Sequence, residues 1–333
     1  MTISASVIIP THNRPAAVAE TVDRCIKSAR LVQADVVVVD DGSTPPLSLP
    51  HHSGVQVVRT AGVERSRARN QGACAARGEL LLFVDDDITV APDFVEQHLL
   101  ASKEFGDVIG VGKISLPANS ANTPFGRFRR TIEEPSQARP RGLVAEGNFC
   151  TAANMSIRRS TFLSLGGFDP AILSGEDQDL ALRFSARGGR IAYLPEADVI
   201  HRDSVANIAS YARRHEWGAR AMAPFLRRYP ARTENAARLQ PGTSLRRARS
   251  PAEARRILSR RALSHEWVLR SLRGLIVGAE RGGAGDRTLF HLYRMLLGLH
   301  LFRGFREGLA TDGEAPMLPV PLSPSTRQTS QND

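Results

Sequence analysis

Leu80-Leu81-Leu82-Phe83-Val84-Asp85-Asp86-Asp87 is an apolar run of five residues followed at once by three carboxylates. Such a run predicts a strand buried on both faces, as in a parallel sheet. Three adjacent acids at its carboxyl end repel one another unless a cation or a set of donors neutralises them. Open α/β sheets bind their ligands outside the carboxyl ends of the strands. Ligands that are all oxygen favour hard cations that partner phosphates, Mg²⁺ or Mn²⁺, over zinc.

Working outward, Val7–Pro10 predicts a short buried strand that leaves through Thr11-His12-Asn13-Arg14-Pro15 into a helix near 16–30. Val36–Val39 predicts a second strand, ending in Asp40-Asp41-Gly42-Ser43, and Val55–Arg59 a weaker third. Residues 64–77 read as a helix stopped by Gly78, and Pro92 opens another of about 92–104. Strand, helix, strand, helix, strand is the signature of a doubly wound, mostly parallel sheet flanked by helices.

Further along, strands are expected over Val108–Leu116, Ala152–Ile157, Ile191–Leu194 and Val199–His201. Short helices are expected over Ser160–Leu165 and about 176–187. Residues 117–142, with Pro117, Pro124, Pro135 and Pro140, read as a long mobile loop. Basic helices of about 204–228 and 252–280, split by a loop at Pro241-Gly242, precede an amphipathic helix of about 287–309. The Pro/Ser/Thr-rich end, 311–333, reads as a disordered tail. The expected organisation is a catalytic domain over 1–205, a basic helical extension over 206–310, and the tail.

The 333 residues, 42% of them hydrophobic, suffice for one large α/β core without disulfide support. Three scattered cysteines, with no Cys-x-x-Cys, argue for a reducing, cytoplasmic setting and against a zinc site. No leader peptide and no run approaching the ~20 apolar residues of a spanning helix is apparent. Residues 1–200 carry 21 Lys+Arg against 23 Asp+Glu, a net of −2; residues 201–333 carry 23 against 11, a net of +12. All the excess charge is therefore in the C-terminal third, which suits an anionic membrane, a phosphorylated substrate or nucleic acid. In the last helix Leu289, Leu292, Leu296, Leu299 and Phe302 form one stripe, with Arg294, Arg303 and Arg306 beside it. That pattern predicts docking on the inner face of a membrane, or packing on the catalytic domain.

Polar residues at the strand ends should converge: Thr11–Arg14, Asp40-Asp41 and Asp85–Asp87, with Arg65, Arg67, Arg69 and Asn70 available to phosphate. There is no Gly-x-Gly-x-x-Gly after the first strand and no Gly-x-x-x-x-Gly-Lys-Ser/Thr, so dinucleotide and P-loop readings lack their glycine cradle. The blocks Val7–Arg14, Val38–Ser43, Arg69-Asn70-Gln71-Gly72 and Phe83–Asp87 stand in an informative order. They are followed by Ala153–Arg159, Gly166-Gly167-Phe168-Asp169, Gly175–Leu180 and His201. Over about residues 5–205 the chain resembles the inverting family 2 glycosyltransferases, and the resemblance implies their GT-A fold. Within it, about 1–112 would be the nucleotide-sugar half and about 113–205 the acceptor half.

The resemblance implies a role for each matching position. Asp40 or Asp41 would contact the nucleotide base, and Asp85 or Asp86 the ribose. Pro10, Thr11, Asn13, Arg14 and Arg69 would complete the nucleotide-sugar site. Asp87 would bind a divalent cation, Mn²⁺ or Mg²⁺, with Asp85 and His201 as further ligands. Asp177 would be the general base, and Asn154 and Glu176 would face the acceptor, a glycan or glycolipid. The residue types suit the chemistry. Inversion needs one base for the acceptor hydroxyl and charge to stabilise a departing diphosphate, with no protein nucleophile. A nucleotidyltransferase is a weaker alternative, since a glycine-rich basic loop would be wanted where Thr11–Pro15 stands. A basic membrane- or nucleic-acid-binding module ranks lowest, because binding alone does not call for Asp85–Asp87 and Asp177; nucleic acid is not the expected partner.

Overall fold

The computed structural model describes residues 4–144, 150–203, 205–230, 245, 248, 250–310 and 322. In chain order the first elements are β1 (Ala5–Thr11), α1 (Pro15–Arg30), β2 (Asp35–Asp41), β3 (Val55–Thr60), α2 (Arg65–Ala75), β4 (Leu80–Val84) and β5 (Ile88–Val90). Next come α3 (Phe94–Phe105), β6 (Val108–Ser115), α4 (Pro124–Glu133), β7 (Gly142–Val144), β8 (Asn154–Arg158), α5 (Arg159–Ser164), α6 (Glu176–Ala186) and β9 (Arg190–His201). The C-terminal helices are α7 (Ile208–Ala221), α8 (Ala223–Arg228), α9 (Pro251–Leu263), α10 (Glu266–Arg281) and α11 (Asp286–Ala310). The expected loop at Pro241-Gly242 and the expected tail lie outside the described residues, Leu322 excepted.

The strands form one mixed sheet in the order β3-β2-β1-β4-β8-β6-β9-β5, with β7 also on β9. β1, β2 and β4 are buried along their whole length, as their unbroken apolar runs require. The block β3-β2-β1-β4 is parallel, and so is the pair β6-β9. β8 lies antiparallel between the two blocks. One apolar cluster, including Val18, Val22 and Phe94, packs α1 and α3 against one face of the sheet. A second, including Ala68, Phe83, Phe162 and Leu180, packs α2, α5 and α6 against the other.

Three sequence expectations change. First, 117–142 is not a loop. α4 occupies its centre, with Pro124 in the first turn and the Thr123 hydroxyl accepting from Gly126 N at 3.0 Å. Prolines that read as breakers include one that starts this helix, whose Phe125 and Phe128 are buried. Second, the two expected strands at 191–194 and 199–201 are one strand, β9. Along it the β6 register moves from Gly112↔Leu194 to Ile114↔Val199, an irregularity that accommodates Pro195. Third, 204–228 and 252–280 are each two helices: α7 and α8 meet at Met222, and α9 and α10 are separated at Ser264-His265.

The stripe on α11 faces inward. Leu289, Leu296, Leu299 and Phe302 are buried, the first three in a cluster shared with Phe125 and Phe128 of α4 and with Ile208 and Tyr211 of α7. Gly304 and Gly308 let α11 close on α7: a Cβ there would sit 2.2 Å from Glu216 O and 2.4 Å from Arg220 O. Arg303 is paired with Glu216 and Glu266. Of the two readings of this helix, packing on the rest of the protein is the one observed. Among the described residues no helix is long and apolar enough to cross a membrane.

Candidate active site

Thr11 and Asp41 end β1 and β2 and Asp85–Asp87 follow β4, neighbours in the parallel block, and so these residues reach one edge of the sheet. A cavity of about 470 Å³ opens there, lined by Pro10, Thr11, Arg14, Asp41, all three acids of the triplet, and His201. His201 arrives through β5, an element too short to be legible in the sequence. β5 pairs antiparallel with β9, Ile88 opposite His201, which sets the histidine beside Asp87.

The triplet is neutralised by specific partners. Asp87 has one carboxylate oxygen 3.0 Å from His201 Nε2, and the other accepts from Arg14 Nη2 at 2.8 Å. Burial alone would raise Asp87, but His201 and Arg14 outweigh it and hold this carboxyl well below its ordinary range. Asp86 accepts from the Thr11 hydroxyl at 2.7 Å and from Arg14 Nη1 at 2.6 Å, and its burial leaves it raised. Asp85 accepts from Arg69 Nη2 at 2.6 Å; burial opposes ionisation, and the nearby cations, Arg69 first, still lower it. One ligand atom each from Asp85, Asp87 and His201 lies within 4.8 Å of the others, the one such group among the described residues.

The two acids that end β2 divide their tasks. Asp40 is almost fully buried and is spent on the following turn: it accepts from Ser43 N and Leu47 N, both at 3.0 Å, and pairs with Arg59. Asp40 therefore holds the loop and does not reach the cavity, whereas Asp41 lines it. Asp41 also accepts from Thr60, Val63 N and Glu64 N. Asn13 does not line the cavity either. It joins the exit of β1 to the same turn, donating from its backbone N to Ser43 and accepting from Thr44 N. Its positive φ of 54° is one that asparagine tolerates better than most residues.

Arg69 lies beneath the cavity wall, 2% exposed, bridging Asp85 to Glu176 Oε1 at 3.0 Å. It ties α2 to the start of α6. Gly175 takes the left-handed conformation there, φ +84°, which a side chain would strain. Next on that first turn stands Asp177, with Oδ2 3.3 Å from Ala152 N and Oδ1 2.8 Å from Gln178 N. Burial first, and the charge of Glu176 second, push Asp177 up to about 7. A carboxylate poised near neutrality suits a general base. Asp177 sits outside the lining of the cavity, next along the chain from the Glu176 that Arg69 binds.

Asn154 does not face an acceptor. It is fully buried, donating to Lys113 O and Ala197 O and lying 3.0 Å from His98 Nε2. Gly112 makes the room: a Cβ there would lie 2.3 Å from the Asn154 amide. Asn154 joins β8 to β6, β9 and α3. The cavity adds Ala68, Asp203 and Arg214 to the residues expected, and it includes His12 and Arg65, expected at the strand ends and for phosphate. Arg65 is legible in the sequence as one of three arginines at the start of α2. Asp203 and Arg214 lie past the last recognisable block, and only tertiary packing brings α7 to the cavity.

Residues 6–165 match the model of glycosyl transferase family 2. A pre-mycofactocin glycosyltransferase of Mycobacterium tuberculosis is 27% identical over 238 residues, 68% of this chain and 48% of that protein. The succinoglycan biosynthesis protein ExoO of Rhizobium meliloti is 32% identical over 237 residues, 63% of this chain and 66% of that protein. The chain thus spans about half the length of the first relative and under two thirds of several others. A mannosyltransferase of Pyrobaculum calidifontis, solved in complex with GDP-Man and Mn²⁺, superposes with a TM-score of 0.52 at 19% identity. The superposition covers 92% of this chain and 87% of that one, a likeness of fold. Residues 6–165, the part that carries β1 to β8, are thus the part of the chain similar to glycosyl transferase family 2.

Proposed function

We propose that the protein is an inverting glycosyltransferase, dependent on a divalent cation, that moves a sugar from a nucleotide-sugar to a hydroxyl of a glycan or glycolipid. The observation that carries this reading is the meeting of Asp41, Asp85, Asp86, Asp87 and His201 in one cavity at the ends of parallel strands. Its volume is within the ~300–1,000 Å³ usual for small-molecule sites. Asp41 would accept from the base and Asp86, with Thr11, from the ribose. The name of the Rhizobium relative, a succinoglycan biosynthesis protein, supports a role in polysaccharide synthesis.

The donor set fits a hard cation: two carboxylates and an imidazole whose ligand atoms already lie close together. Asp85, Asp87 and His201 would hold the cation, which would supply positive charge for a departing diphosphate. The remaining work belongs to the chain. Arg69 holds Asp85 in place and anchors Glu176. Asp177 takes the acceptor hydroxyl's proton as that oxygen bonds to the anomeric carbon and the bond to the diphosphate breaks.

A thermal-shift series with UDP, GDP and dTDP, with and without Mn²⁺, tests the reading. One nucleotide should raise the melting temperature, and Mn²⁺ should enlarge the shift; at a hundred times Kd the gain is about 2.7 kcal/mol. No shift with any nucleotide under either condition sinks the proposal. A second expectation concerns His201. His201→Ala should move the Mn²⁺ titration of nucleotide binding to higher concentration, about tenfold or more, while saturating Mn²⁺ restores most of the affinity. An unchanged titration would leave His201 with a structural role only.

A further inference from the structure

Arg65 and Arg214 line the cavity from two different elements, and neither is needed to satisfy the carboxylate beside it. Arg214, on α7, has its Nη1 2.7 Å from Asp203 Oδ2 and a side chain 55% exposed. Both oxygens of Asp203 already accept from the buried Arg129, at 2.9 and 3.1 Å, and one also accepts from Val205 N. Arg65, on α2, is 3.9 Å from a Glu176 oxygen that Arg69 already meets at 3.0 Å. The other two arginines at the site are committed: Arg14 to Asp86 and Asp87, Arg69 to Asp85 and Glu176. Asp203 thus orients Arg214 at the cavity through one of its donors and leaves the others, while Arg65 is only loosely held beside Glu176.

Building on the nucleotide-sugar reading, we infer that Arg214 and Arg65 together grip the diphosphate of the donor. A guanidinium offers paired donors that match phosphate oxygens, and a half-exposed one loses little water in turning to them. The assignment makes the C-terminal extension part of the binding site. It also gives one of the extension's many arginines a specific task, since α7 carries the cation that α2 cannot supply alone.

Calorimetry on the Mn²⁺-loaded full chain tests this, with the 5′-diphosphates and 5′-monophosphates of uridine, guanosine and thymidine as probes. The wild type should bind the diphosphate of its preferred base more tightly than the monophosphate. Arg214→Ala and Arg65→Ala should each weaken the diphosphate about tenfold and leave the monophosphate within about twofold. Arg214→Lys, which keeps charge but loses the fork, should fall between. Both side chains are near the surface, so an unchanged melting temperature will show that the variants fold. If both variants keep the wild-type preference for diphosphate, or lose both nucleotides equally, the inference is overturned while the nucleotide-sugar reading stands. If the wild type binds no nucleotide at all, both fall together.

Discussion

Asp87→Ala should lower sugar transfer by ~10²–10³-fold and remove the Mn²⁺-dependent part of nucleotide binding. Asp87 is the carboxylate that both His201 and Arg14 address, so it is where the site already concentrates opposite charge. The variant also has a signature in stability. Asp87 is depressed below its ordinary value, so its contribution is present above that value and is lost as pH falls through the lower, folded one. The variant should therefore melt below the wild type at pH 7, and the gap should close in acid. Retention of Mn²⁺-enhanced nucleotide binding by a folded Asp87→Ala protein would remove Asp87 from the cation site.

The nucleotide half of the site was legible because each of its strands is buried on both faces. Val7–Pro10, Val36–Val39 and Leu80–Val84 are apolar without interruption, so their ends could be located, and polar residues at those ends had to meet. What could not be read was which acid of a pair turns inward. Asp40 and Asp41 are adjacent, and only the turn through Ser43 and Leu47 decides that Asp40 is spent on backbone donors. The same limit applies to Asn154, which sits in a strand whose burial depends on β8 entering between β4 and β6.

The C-terminal third left two readings open for a different reason. An apolar stripe flanked by arginines has the same period whether it meets lipid or another helix. The glycines at 304 and 308 were the available sign of close helix contact, and α11 uses both against α7. That packing is also what sets α7 where Arg214 lines the cavity, a position that no local pattern indicates. Residues 117–142 misled through their prolines, because a proline that breaks a helix in mid-run can begin one after a capping threonine.

Asp177→Asn should reduce turnover by at least ~10²-fold while leaving nucleotide binding within about twofold, because the amide keeps the size of the carboxylate but cannot take a proton. The wild-type pH profile should show why. Asp177 is pushed up to about 7, by burial first and by Glu176 second, so kcat/KM should rise with pH through a limb near 7 as the base loses its proton. The residual activity of the variant should lack that limb. Stability should move the opposite way. A carboxyl whose folded value is raised above 3.8 keeps a proton in the native state that the unfolded chain releases. The native state is therefore progressively disfavoured as pH rises from that value through about 7. The substituted amide carries no such charge, so the variant should melt above the wild type at pH 8 and lose that advantage near pH 4. A gain in stability together with a loss of turnover is what distinguishes a strained catalytic base from a carboxylate that merely caps α6, whose removal should lower stability. Near-normal turnover with the correct acceptor, or a variant that melts lower at pH 8, would assign Asp177 to the helix cap.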